Sequence, residues 1–317
     1  MITSLINPTI AKLTPYTCAR DLYKGDTADS VFLDANENAF GSTITALRNR
    51  ALNRYPDPEL KKLRQALGNS LAVPKEYIFV GAGSDQIIDL LVRLFVQPRD
   101  EVLIFEPTFG MYRVATETAG GTNSPTGNLL RIEDIEKLCK IFPGIVVLDE
   151  AYIEFSSQES LAKRVREFEN LVILRTMSKA WGLAGIRVGY AIANPQVIEY
   201  LNRIKMPYAV NSISEYCARE ALKNKKKLSI LCNRMKRERT ILAQKLSARG
   251  LTVFPSEANF LLIKIPQASI CVQRLAEKFK IVVRDFSSKP RLKDCIRITV
   301  GTPTENKKLI TALTKLL

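Results

Sequence analysis

Through the middle of the chain, short apolar runs alternate with amphipathic stretches, and this alternation restricts the fold more than any other feature. Tyr77-Ile78-Phe79-Val80 reads as a short strand. It passes through Gly81-Ala82-Gly83-Ser84-Asp85 into a helix predicted from the spacing of Ile87, Ile88, Leu91, Leu94 and Phe95. Glu101 to Phe105 is the next strand, stopped by Pro107. Gly144 to Leu148 is another, ending at Asp149-Glu150, and Leu171 to Leu174 and Val188 to Ala193 follow. Asn194-Pro195 then caps and starts a helix. Strands and helices in this order predict an α/β fold with a mostly parallel sheet.

After about Met206 the pattern changes. One long helical region is predicted over roughly Ser212 to Arg249, then strands over Asn259 to Ile265, Ile281 to Arg284 and Cys295 to Val300, and a closing helix from Glu305. That order suits a smaller α+β domain. The expected division is an arm over 1–40 that joins the small domain and the substrate site, a large domain over 41–206 and a small domain over 207–317.

With 317 residues the chain is long enough for two such cores. Its 46% apolar and 25% charged residues are the balance of a globular protein. No apolar run approaches the ~20 residues of a membrane helix, and the start has no basic segment ahead of an apolar one. The expected location is the cytoplasm, with no membrane contact. The six cysteines form no C-x-x-C pair, so free thiols in a reducing compartment are expected.

Histidine is absent. That excludes a Ser-His-Asp triad, a Cys-His pair and any His-ligated metal site, and no metal is expected. Proton transfer falls to Lys, Tyr, Asp, Glu or Cys. The net charge of +15 admits anionic small substrates or nucleic acid. Its densest run, Lys223-Asn224-Lys225-Lys226-Lys227, reads as the solvated face of a helix, and no basic stripe is interleaved with aromatics. Nucleic acid is therefore not an expected partner.

Four places carry residues suited to chemistry. Gly81 to Asp85 lies between a strand and a helix, where backbone N–H groups can cradle a phosphate. Asp149-Glu150-Ala151-Tyr152 lies at a strand's C-terminal end, the edge where α/β sheets hold ligands. Such an Asp either caps a helix or pairs with a protonated ring nitrogen, and Tyr152 would reach a neighbouring oxygen. Ser178-Lys179 again follows a strand, with Arg187 eight residues on. A lysine in a partly desolvated cleft is a competent amine nucleophile, and Ser178 and Arg187 supply donors for a phosphate. Arg284 and Arg297 each interrupt an apolar run, which suits a structural ion pair or a fork for an anionic substrate.

Together these residues resemble the fold-type-I pyridoxal 5'-phosphate (PLP) enzymes, and more narrowly the histidinol-phosphate aminotransferase family. The resemblance runs from Leu13-Thr14-Pro15-Tyr16 to the last helix. It rests on Leu33-Asp34-Ala35-Asn36-Glu37-Asn38, Asn53-Arg54-Tyr55-Pro56, Gly81-Ala82-Gly83-Ser84-Asp85, Pro107-Thr108-Phe109, Asp149-Glu150-Ala151-Tyr152, Thr176-Met177-Ser178-Lys179-Ala180, Gly185-Ile186-Arg187-Val188-Gly189-Tyr190 and Ile296-Arg297-Ile298-Thr299-Val300-Gly301.

The resemblance implies a PLP-dependent transfer of the amino group of histidinol phosphate to 2-oxoglutarate, giving glutamate, in histidine biosynthesis. It implies that Lys179 binds the cofactor as a Schiff base and shuttles the proton, that Asp149 holds the pyridinium nitrogen and that Phe109 stacks on the ring. Tyr152 would bond the phenolic oxygen, while the backbone of Ser84 and Asp85, with Ser178 and Arg187, would hold the phosphate. Tyr55 would reach that phosphate from the other subunit of a homodimer. Arg284 and Arg297 would grip substrate anions, with Tyr16 and Asn36 on the substrate side. A phosphothreonine decarboxylase, an aromatic aminotransferase or an impaired remnant that binds an anion or a partner are the rival readings.

The chain departs from the family in two places. Asn123-Ser124-Pro125-Thr126-Gly127 places Ser124 where the family has the Asn that touches the phenolic oxygen. The family also spends a strand, a helix and a further strand before that loop, whereas residues 120–130 here offer no strand-like run. Phe109 to Pro125 is expected to hold one helix and a loop. This predicts a sheet short of strands and a weaker or inactive catalyst.

Overall fold

The computed structural model describes residues 31–33, 36, 38–40, 55–105, 108–119, 122–125, 131–289 and 291–317. A four-stranded sheet forms the centre of the first half. Its strands are β2 (Ile78–Gly81), β5 (Val146–Asp149), β6 (Leu171–Thr176) and β7 (Gly189–Ile192), in the order β2-β7-β6-β5. β5 and β6 pair parallel, whereas β7 runs against both its neighbours.

Alternation along each strand sends side chains to two cores. Ile78, Val80, Leu171, Ile173, Tyr190 and Ile192 enter one. Phe79, Val172, Leu174 and Ala191 enter the other. A strand buried on both faces reads as a continuous apolar run, which is why Leu171–Thr176 is buried throughout. Helix α1 (Lys61–Leu71) covers the first face with α4 (Ile132–Ile141) and α6 (Ser212–Leu222). The second face is covered by α2 (Gly83–Phe95), α3 (Met111–Thr118) and α5 (Pro195–Ile204). Pro195 opens α5 behind the Asn194 cap, which accepts from Gln196 N at 2.9 Å.

The second half builds a separate core. There β8 (Thr252–Val253), β9 (Phe260–Lys264), β11 (Arg284–Asp285) and β12 (Cys295–Thr299) form an antiparallel sheet in the order β11-β12-β9-β8. Strand β1 (Val31–Phe32) pairs parallel with β10 (Ile281–Val282). Helices α7 (Lys225–Ser247), α8 (Ala268–Phe279) and α9 (Pro303–Leu316) pack on this core. The last begins with a capping box between Thr302 and Glu305.

Two expectations are corrected. The region over Ser212 to Arg249 is two helices, broken at Lys223-Asn224, where the Asn224 side chain donates to Glu220 O. Residues 120–130 do hold a strand: β4 (Thr122–Pro125) pairs parallel with β3 (Glu101–Ile104). Its Thr-Asn-Ser-Pro composition carries no strand signal; it is defined by pairing with the β3 backbone. Helix α3 between them satisfies the crossover of about a dozen residues that parallel strands need. This pair stays a separate two-stranded sheet, so the main sheet gains nothing from it.

Candidate active site

Lys179 lies just beyond β6, in the turn between β6 and β7. Met177 N donates to Val188 O at 3.0 Å and Gly182 N to Lys179 O at 3.0 Å, which fixes this turn on both sides. Ser178 is buried and its N–H donates to the Thr176 hydroxyl. The Lys179 Nζ stands 5.9 Å from the centre of the Tyr152 ring.

Tyr152 links the two halves. Its hydroxyl accepts from Asn36 Nδ2 at 3.0 Å, and its ring meets Phe260 edge-on at 5.4 Å. Asn36 is buried in the left-handed conformation at φ 54°. Three bonds hold it there: its N–H donates to Thr299 Oγ1, its side-chain oxygen accepts from the same hydroxyl, and its carbonyl accepts from Asn259 Nδ2. The Arg297 guanidinium lies between Phe260 and Phe286, 5.3 and 5.2 Å from their ring centres. Arg284 stands directly opposite Arg297 across β11 and β12. Like charges facing each other across a strand pair are unfavourable, and an anion held between two guanidinium forks removes that cost.

Asp149 ends β5. Its Oδ1 accepts from Ala151 N at 2.9 Å and its Oδ2 from the Tyr112 hydroxyl at 2.8 Å. Asp149 is exposed along the cleft that it ends, while neighbouring protein groups crowd its carboxylate. Burial pushes its pKa above the usual carboxylate range, and the Ala151 and Tyr112 bonds and the charge of Lys179 oppose that rise. Burial, with Asp149 beside it, drives the Tyr112 hydroxyl well above the usual phenol value.

A glycine-lined notch lies at the start of α2. A Cβ on Gly189 would come within 2.3 Å of Ser84 N, and one on Gly83 within 2.6 Å of the Arg187 guanidinium. Arg187 has φ 52° and pairs with Asp85 at 3.0 Å. Helix N–H groups and a guanidinium thus converge where an anion would sit. This cradle, the amine of Lys179 and the carboxylate of Asp149 match the phosphate, aldehyde and ring nitrogen of PLP.

Phe109 is 39% exposed one turn before Tyr112, and Tyr112 N donates to its carbonyl. Tyr55 is 82% exposed and stacks on Tyr208 at 4.6 Å. Ser124 is on β4 opposite Leu103. Tyr16 lies outside the described residues. Sequence reading missed Tyr112 and Thr299. Tyr112 follows Phe109 by three residues at a helix start, and Thr299 follows Arg297 by two on one strand; both spacings were legible.

This two-core α/β architecture, with its amine, carboxylate and anion cradle, is that of the class I and II aminotransferases, whose family model matches residues 21–123 and 120–313. A histidinol-phosphate aminotransferase of Parabacteroides distasonis is 39% identical over 345 aligned positions, spanning 98% of this chain and 97% of the relative. Another, from Christiangramia forsetii, is 36% identical over 351 positions, with 99% and 98% covered. The chain belongs to the histidinol-phosphate aminotransferase family. The crystal structure of the Sinorhizobium meliloti enzyme of that name, in complex with pyridoxal-5'-phosphate, superposes with a TM-score of 0.87 at 23% identity, covering 99% of this chain and 97% of that one.

Proposed function

We propose that this chain moves the amino group of histidinol phosphate to 2-oxoglutarate, with PLP bound covalently on Lys179. One observation carries the reading: Lys179, Tyr152, Phe260 and Arg297 form a continuous line of ring contacts, which brings the amine nucleophile and the anion fork together across the two cores.

PLP, when bound, supplies an electron sink that lets the substrate Cα–H ionise. The protein's own groups do the rest. Asp149, oriented by Ala151 and Tyr112, holds the proton on the ring nitrogen. Lys179 Nζ would take the proton from the substrate Cα and deliver it to the C4′ carbon of the cofactor. Because the Tyr152 hydroxyl accepts from Asn36 Nδ2, its own proton would be available to donate to the cofactor's phenolic oxygen. The backbone of Ser84 and Asp85, with Ser178 and Arg187, would hold the phosphate, and Phe109 would stack on the ring. Arg284 and Arg297 receive the substrate's phosphate or the carboxylates of glutamate and 2-oxoglutarate. Ser124 stands in the sequence where the family has the Asn of the phenolic oxygen, and Tyr16 is proposed for the substrate side.

The exposed Tyr55, with exposed Met206 beside Tyr208, supports a homodimer in which Tyr55 serves the partner's phosphate site. The separate cores support a PLP-binding domain and a small domain, with α6 on the first core, so the division falls near Lys223-Asn224, past the expected boundary at 206, and the 1–40 arm is proposed for the substrate site. A cytoplasmic location is the reading that the five described cysteines suit, all buried and none in a disulfide; no described helix is long and apolar enough to cross a membrane.

The test is the visible spectrum of the purified protein with PLP, before and after histidinol phosphate is added, with glutamate formation measured when 2-oxoglutarate follows. A protein that binds PLP but forms no glutamate, and instead releases carbon dioxide from phosphothreonine, would overturn the assignment.

A further inference from the structure

We propose that Thr299 is a positioning residue: its hydroxyl fixes which end of the Asn36 side-chain amide faces Tyr152, and so keeps the Tyr152 proton free for the cofactor's phenolic oxygen. The inference rests on the reading above that PLP is held on Lys179 beside Tyr152. The hydrogen bonds admit one orientation of the amide. Thr299, on β12, and Asn36 are both buried. The Thr299 hydroxyl accepts from Asn36 N–H and donates to Asn36 Oδ1, both at 2.9 Å. A hydroxyl carries one proton, and the bond to Oδ1 uses it. With Oδ1 turned to Thr299, Nδ2 is turned to Tyr152 and donates to its oxygen at 3.0 Å. Reversing the amide would set two donors against the Thr299 oxygen and take the acceptor from its proton, a cost that burial magnifies. Tyr152 would then donate to Asn36 Oδ1, and its one proton would be occupied there.

The clasp is held from both sides. Asn36 has φ 54°, a conformation that a non-glycine residue keeps only where its surroundings enforce it. Its carbonyl accepts from Asn259 Nδ2 at 2.9 Å, and Thr299 N donates to Leu33 O at 2.9 Å. Arg297 lies two residues before Thr299 on β12, so both side chains leave the same face of the sheet. One strand of the small domain thus carries the anion fork and the hydroxyl that sets the direction of the Asn36–Tyr152 hydrogen bond.

The test is the pH at which the visible absorbance of the PLP-loaded protein changes, read by spectroscopy with no turnover. A donor on the phenolic oxygen favours the state in which the nitrogen joining Lys179 to the cofactor has lost its proton. Thr299→Val and Thr299→Ala should each raise that pH by about one unit, and Thr299→Ser, which keeps the hydroxyl, should match the parent. The surrounding charged and titratable groups, Lys179, Asp149, Tyr112, Arg187, Arg284 and Arg297, are common to all these proteins, so the shift reads the hydrogen bonds. The comparison with Tyr152→Phe separates positioning from a general structural effect. In that background Thr299→Val should shift nothing further, because Tyr152 is the route. Melting curves of the cofactor-free variants check that each one folds. A parent-like pH in Thr299→Val and Thr299→Ala, or an equal shift with and without the Tyr152 hydroxyl, overturns the proposal and leaves the reading of PLP on Lys179 standing. A parent protein that binds no PLP overturns both.

Discussion

Tyr112 Oη donates a 2.8 Å hydrogen bond to Asp149 Oδ2, joining residues 37 positions apart on α3 and β5. The second carboxylate oxygen is taken by Ala151 N–H, so both oxygens are oriented by the protein. Tyr112→Phe removes one of the two fixed donors. A hydrogen bond to an ionised group contributes about 1.5–3 kcal/mol. PLP affinity should therefore fall roughly tenfold to a hundredfold. Titration of PLP absorbance checks this, and an unchanged affinity would remove Tyr112 from the site.

The raised pKa of Asp149 has a consequence for stability. Its folded pKa lies above the unfolded value, so between the two the cofactor-free native state binds more protons. Stability is then lost as pH rises through that window. Asp149→Asn should leave the melting temperature of the cofactor-free protein unchanged below the unfolded pKa and raise it above the folded one. The same substitution should weaken PLP binding at neutral pH. Melting curves against pH, with and without PLP, separate the two effects.

Lys179→Ala should abolish both turnover and covalent PLP attachment. Borohydride reduction followed by peptide mapping is the check. Trapping of the cofactor on a different lysine would refute the assignment of Lys179.

Arg297→Ala should lower kcat/KM for histidinol phosphate by roughly ten- to a hundredfold, the cost of a charge-assisted fork, and leave PLP affinity nearly unchanged. Because the substitution also removes the guanidinium from between Phe260 and Phe286, the ligand-free variant should be less stable by about 1 kcal/mol. Kinetics and a melting curve on one preparation test both halves.

Gly189→Ala tests the anion cradle. Its Cβ would press on Ser84 N at 2.3 Å, so either β7 or the start of α2 must move. The expected cost is about 1–3 kcal/mol of stability with a clear loss of PLP affinity. Wild-type melting and binding would show that the notch is looser than described.

Much of this protein was already determined by its sequence, because local patterns carry local structure. The apolar run Leu171–Thr176 reads as a buried strand wherever it sits, and Asn194-Pro195 starts a helix by its own side chain and ring. Gly83, Ser84, Lys179 and Arg187 stand at strand ends, the positions where such residues can meet a ligand. Tertiary structure decided what depends on distant partners. The Tyr112–Asp149 bond and the Asn36–Thr299 clasp join segments whose spacing carries no period. The facing of Arg284 and Arg297 was set by the register of β11 on β12. Most plainly, Thr122–Pro125 has no strand-forming composition and became β4 because β3 offered it a backbone to pair with. Backbone hydrogen bonds are blind to side-chain type, so an edge can recruit a segment that propensity would leave as loop.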